Sequence, residues 1–184
     1  MKTFPTVSKV LLTAAFVASL LPATAWAADR AALEREARAA LQKLTSTVPA
    51  AKSLSSSATA VLVFPKVTKA GLGVGGQYGD GVLFRQGKVA GYYNTSGASF
   101  GLQAGAQQFG YAMFMMNDKA VSALSANEGF EVGVGPSVVV IDEGKAKTMT
   151  TTTVKDDIYA FIFGQKGLMA GLGIQGNKIT RLKD

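Results

Sequence analysis

The sequence predicts an α+β, β-rich domain: a curved antiparallel sheet or partly closed barrel with N-terminal helices and one short internal helix. Three observations predict it. All 21 glycines fall between Gly71 and Gly176, so the chain divides into a glycine-free arm and a glycine-rich remainder. Within the arm, Leu33, Ala37, Leu41 and Leu44 recur at helical spacing. Beyond it, short apolar runs alternate with glycine-rich corners, the pattern of many short strands.

Met1–Ala27 reads as a secretory signal peptide. Lys2 and Lys9 supply a positive start, Val10–Leu21 is mostly apolar, and Ala25-Trp26-Ala27 fits small-residue cleavage before Ala28. The apolar stretch is short for a membrane span. The expected mature chain, 28–184, is one domain, with a helical arm at 28–58 and a sheet region at 59–184. Asp29 is the expected N-cap of the first helix, with Arg35, Arg38 and Gln42 on the face opposite its leucines. Pro49 opens a second short helix that ends in Ser55-Ser56-Ser57.

Strands are expected at Thr59–Phe64, Ala70–Tyr78, Val82–Arg85 and Lys88–Asn94, with Gln86-Gly87 as a turn. Ser99–Phe109 and Tyr111–Met116 follow. Asn117 or Asp118 caps a helix through Ala126, which Gly129 ends. Further strands are expected at Glu131–Ile141, Ala146–Val154, Ile158–Phe163, Leu168–Gln175 and Lys178–Leu182. Asp142–Lys145 and Gly176-Asn177 are the turns among them. Tyr111–Met116, YAMFMM, is a core strand by default, though its flexible methionines also suit a lipid-contacting wall.

The glycines from Gly71 to Gly81 demand a reason. In an extended chain Gly71, Gly73 and Gly75 share one face and leave a bare strip of backbone. Each interior glycine costs roughly 0.5–1 kcal/mol relative to alanine, so something must approach that strip closely. Another layer of the same protein would do so, and so would a ligand or a lipid. Gly71–Gly76 satisfies G-x-G-x-x-G but lies within strands, where a dinucleotide site needs a strand-to-helix turn. Gly81 to Lys88 fails as a phosphate loop because its spacing is wrong and Val89 replaces the hydroxyl residue. Gly97, Gly101 and Gly105 repeat at four, but the glutamines around them spoil a membrane helix.

Composition removes much chemistry. The chain has no histidine and no cysteine, so histidine- and cysteine-based catalysis, imidazole metal sites, disulfides and an acylated cysteine are all absent. No serine begins an S-x-x-K pattern. Asp142/Glu143 and Asp156/Asp157 are adjacent pairs, whose members point to opposite faces of a strand rather than converging. Leaving out Lys2 and Lys9, seventeen basic residues stand against twelve acidic ones, a net charge of +5. That favours anionic surfaces, yet no dense basic stripe marks a nucleic-acid footprint. No metal or cofactor is expected, and no enzyme.

The run VLVFPKVTKAGLGVGGQYGDGVL (Val61–Leu83) resembles the SYLF domain family, also called the Ysc-type actin-binding or lipid-binding SYLF domain. The similarity continues through GASFGLQAGAQ (Gly97–Gln107), DKAVSAL (Asp118–Leu124), GVGP (Gly133–Pro136), DIYAF (Asp157–Phe161) and KGLMAGLGIQG (Lys166–Gly176). The resemblance implies phospholipid binding, with actin as a partner of some fungal members and no established catalytic residues. Lys66, Lys69 and Lys166 match recurring motif positions. Beside the glycines Gly71, Gly73 and Gly75 they are candidate contacts for phosphate headgroups, the bland reading being solvated turn charges.

The expected function is therefore non-enzymatic binding of anionic phospholipid, or of a membrane surface that carries it. The expected place is a bacterial periplasm, reached through a cleaved signal peptide and without a lipid anchor. Neither nucleic acid nor actin is an expected partner there. The arm helix either packs on the sheet or inserts its apolar face in a lipid interface. One rival is a small outer-membrane or envelope structural protein, opposed by the polar arm and by Trp26 as the sole tryptophan. The other is an envelope hydrolase using carboxylates such as Asp80, Glu131 and Asp157.

Overall fold

Between Leu21 and Thr47 the chain holds no glycine, and its one proline, Pro22, lies at the very start of the described stretch. The result is one helix, α1 (Leu21–Thr47). Asp29 therefore lies inside a helix rather than capping it, because nothing before it breaks helical propagation. The computed structural model describes residues 21–125, 129–141, 146, 155–164, 167–168, 173–174 and 176–183. The expected turn at Asp142–Lys145 and nearly all of the expected strand Ala146–Val154 lie outside the described residues. The first turns of α1, through Ala32, belong to one structural unit, and the chain from Leu33 onward makes a second.

In the second unit α2 (Pro49–Ser57) has proline in its first turn, as its sequence predicts. The hydroxyls of Ser56 and Ser57 donate back to the Ser53 carbonyl at 2.7 and 3.5 Å as it ends. Two long strands follow, β1 (Ala60–Arg85) and β2 (Lys88–Met115). The sequence suggests three strands in the first and three in the second; the structure joins each set into one. Proline and glycine do interrupt the ladder, but as register shifts at Phe64/Val67, Gly71/Gly73 and Leu83/Phe84. A bulge bends a strand without ending it. Gln86 and Gly87, with φ of 52° and 75°, form the two-residue turn between them, the left-handed pair that matches strand twist.

α3 (Asp118–Leu124) is capped by Asn117, whose side-chain oxygen accepts from the Ala120 N–H at 2.9 Å. It stops at Leu124, sooner than expected. The expected strand Glu131–Ile141 is instead β3 (Phe130–Glu131), a turn and β4 (Val138–Ile141). Gly133 and Gly135 take φ of 101° and 93° ahead of Pro136, which no strand accommodates. β5 (Ile158–Gly164), β6 (Gly167–Leu168) and β7 (Lys178–Arg181) complete the described elements. After Gly176-Asn177, β7 pairs with β2 and β3, and most of the expected strand Leu168–Gln175 lies outside the described residues.

Among the described residues the seven strands form one sheet, ordered β3-β7-β2-β5-β4 with β1 on β2 and β6 on β5. It is mixed, since β4 runs parallel to β5, and it curls into a half-barrel. The curl comes from the β1–β2 hairpin folding over itself. Gly79 and Gly81 lie so near the start of β1 that an added Cβ would stand 2.6 Å from the Lys66 carbonyl oxygen and 2.5 Å from the Phe64 ring, respectively. Across the same fold the Tyr111 hydroxyl donates to Thr95 Oγ1 at 2.7 Å, on the same strand.

Strict alternation then fills two cores. Leu62, Phe64, Tyr111, Met113, Ile158 and Ile162 point into the curl, where α3 adds Ala120 and Leu124. Val61, Val63, Phe114 and Phe161 point the other way, against Ala37 and Leu44 of α1 and Ala51 and Leu54 of α2. Phe64 and Tyr111 rings lie 4.7 Å apart, and Phe114 meets Phe161 edge-on at 5.4 Å. Tyr111–Met115 is thus core strand, covered on both faces. A buried polar chain crosses the inner core: Gln77 donates to Asn177, which donates to Thr95 at 3.4 Å. Burial pushes the Tyr111 phenol well above its usual range, so it stays a neutral donor.

Candidate functional site

A groove of about 480 Å³ opens where α1 ends beside the first bulge of β1. It is built by three local rules. Pro65 has no N–H to give to a ladder, so β1 places Pro65 and Lys66 opposite the single residue Gly110 of β2. This bulge leaves Lys66 exposed at the groove. Gly110 has to be glycine, because a Cβ there would stand 2.8 Å from the Pro65 carbonyl oxygen and press on the Phe163 ring. Finally, α1 presents the small side chains of Ala39 and Ala40, which leave the space unfilled.

Leu44, Val48, Phe109 and Phe163 complete the apolar lining, while Lys43 and Lys66 bring two cations and Glu36 one carboxylate. The Thr47 hydroxyl, also at the groove, donates to the Lys43 carbonyl at 2.8 Å and is satisfied within its own helix. The arrangement suits a ligand with an apolar body and an anionic end. Nothing in it resembles an acid–base pair, and among the described residues no group of carboxylates is gathered as a metal site.

Of the residues singled out from sequence, Lys66 lines this groove. Lys69 follows on β1, half-buried and opposite Gln107, and does not line it. Gly71 and Gly75 sit at the bend of the hairpin, packed on each other: a Cβ on Gly71 would stand 2.6 Å from the Val74 carbonyl oxygen. Their close neighbours are each other and the adjoining backbone of Ala70 and Val74. Gly73 pairs with Gly101 across that bend, and Lys166 lies outside the described residues. Sequence reasoning missed Lys43, Ala39 and Ala40. Their signal was present, since Glu36, Ala40, Lys43 and Thr47 follow 4-3-4 spacing along one side of α1.

The carboxylates are otherwise engaged. Asp80 accepts from Asn94 Nδ2 at 2.8 Å. Asp157 accepts from Asn117 Nδ2 at 2.7 Å, the Ser137 N–H at 2.9 Å and Lys119 Nζ at 3.3 Å. These hydrogen bonds, that of Asn117 first, lower its pKa to about 2. Glu131 is exposed on β3, which among the described strands reaches the Asp80 strand through β7 and β2.

Residues 96–184 match the family model described as Las17-binding protein actin regulator, Ysc84. These residues belong to the SYLF family. No curated protein matches the chain. The SYLF family is known for lipid and actin binding. The stretches from Gly97 to Gly176 that carry the sequence resemblance fall inside the matched span, and Val61–Leu83 lies ahead of it. The SYLF motifs that the structure describes are largely structural. In DIYAF, Asp157 joins three segments, and the buried Tyr159 hydroxyl accepts from the N–H groups of Lys155 and Asp156 at 2.8 and 3.0 Å. In GVGP, the two positive-φ glycines make the turn and leave Val134 exposed. Among the described residues no helix is long and apolar enough to cross a membrane.

Proposed function

We propose that this chain is a non-enzymatic binding protein for anionic phospholipid of the bacterial cell envelope. The observation that carries the reading is the pair Lys43 and Lys66 at an apolar groove, with Lys69 further along the same strand. SYLF membership supports it, and so does the want of histidine and cysteine for catalysis. Export through the Met1–Ala27 leader places the mature chain, from Ala28, where envelope lipid is at hand and actin is not. An intact mass that starts at Ala28 with no added acyl group is the expected result for protein from its native host. Retention of residues 1–27 would contradict export by cleavage.

Each lysine near an anionic surface contributes about 1 kcal/mol. Removing three of them should therefore cost on the order of a hundredfold in affinity. The triple variant Lys43→Gln, Lys66→Gln, Lys69→Gln tests this by co-sedimentation with phosphatidylglycerol vesicles. Wild type should pellet with the vesicles at lipid concentrations where the variant stays in solution. Equal binding by the two would remove these lysines from the site.

A further inference from the structure

A basic patch that meets only the surface of a bilayer has no use for a cavity behind it. Here Lys43 and Lys66 stand at a groove whose other walls are Leu44, Val48, Phe109 and Phe163. Its volume, about 480 Å³, lies within the range of small-ligand sites, roughly 300–1,000 Å³. The space is kept open by alanine at 39 and 40, while glycine at 110 lets β2 close directly on Pro65 and Phe163, two of the groove's walls. Charge is divided along it as well. Glu36 lies seven residues before Lys43, about 10 Å up the α1 axis, so the lining has an acidic position at one level of the helix and a basic one at another.

We propose that this groove receives one acyl chain of an anionic lipid, with Lys43 and Lys66 holding the phosphate. The proposal rests on the lipid-binding reading above and adds to it that the protein takes a single lipid chain into itself. A purely polar anion would leave the apolar walls unmet, and an uncharged alkane would leave the two cations unanswered. A phosphate-headed acyl chain satisfies both. Burial of methylenes then makes affinity depend on chain length, at about 0.8 kcal/mol each, or roughly tenfold or somewhat more for every two.

The experiment is calorimetric titration of the purified protein with lysophosphatidylglycerols lengthened two carbons at a time, each kept below its micelle concentration. The expected result is one site per chain, with Kd falling roughly tenfold per step until the groove is full and then levelling. Lys43→Gln with Lys66→Gln should weaken every member of the series by the same factor and leave the slope intact. Ala39→Trp, at an exposed helical position, should flatten the slope, with circular dichroism checking that the helix persists. The series on unaltered protein decides the matter even if that variant misfolds. A Kd that ignores chain length, while anionic vesicles still bind, would overturn the groove and leave surface binding standing. Binding of neither lysolipid nor vesicles would overturn both.

Discussion

Gly81 occupies a place where a single methyl group matters. Its missing Cβ is what lets the second half of β1 lie over the first, since a Cβ would sit 2.5 Å from the Phe64 ring and 2.7 Å from the Val63 carbonyl oxygen. Phe64 cannot retreat easily, for it is fully buried and packed on Tyr111. Overpacking of this kind costs about 1–3 kcal/mol. Gly81→Ala should therefore lower the urea midpoint with little change in slope. An unchanged midpoint would show that the curl is looser than these contacts require. Lys43 and Lys66 contrast with it: both are exposed, so their replacement should alter binding far more than folding.

At the scale of elements, Asp157 ties together α3, the Ser137 segment and the start of β5. Its backbone joins in, with the Met116 N–H donating to the Asp157 carbonyl at 2.9 Å and the Asp157 N–H donating to Ser137 Oγ at 2.8 Å. Because its pKa of about 2 in the folded state lies below the unfolded value near 3.9, it stabilises the fold fully above that value. The contribution is lost as pH falls from about 4 towards 2. Thermal melts should show wild type losing more stability over that window than Asp157→Asn, which should already be the weaker at pH 7. Parallel pH profiles would mean that the carboxylate is not the link. DIYAF was legible as a motif, but this role was not, since Asn117, Lys119 and Ser137 are far from it in sequence. Strand lengths were misread for a related reason. Pro65 and the glycines look like punctuation along the chain, and only the pairing with β2 shows that the ladder absorbs them as bulges. The helices were easier, because their signals are local: the spacing of Ala37 and Leu44, Pro49 at the start of α2, and Asn117 before α3.

At the scale of the whole molecule, the long hairpin curls over an inner core, and its outer face is covered from Leu33 onward by α1 and α2. The β-rich class and the helical arm were legible from the glycine partition and from hydrophobic period. The groove was not, because it is made of four segments, from α1, β1, β2 and β5, whose approach depends on the bulge. Among the described residues, Lys66 was the one lining residue that the sequence marked as a ligand contact. Under the function proposed above, this surface binds anionic lipid through charge. The most direct test is co-sedimentation of unaltered protein with phosphatidylglycerol and phosphatidylcholine vesicles at low and high salt. Screening shortens from about 10 Å at 0.1 M to about 3 Å at 1 M ionic strength. Strong binding to the anionic vesicles at low salt, clear weakening at high salt, and little binding to the zwitterionic ones are the expected results. Equal binding to both vesicle types at both salt concentrations, or binding to neither, would contradict the proposed function.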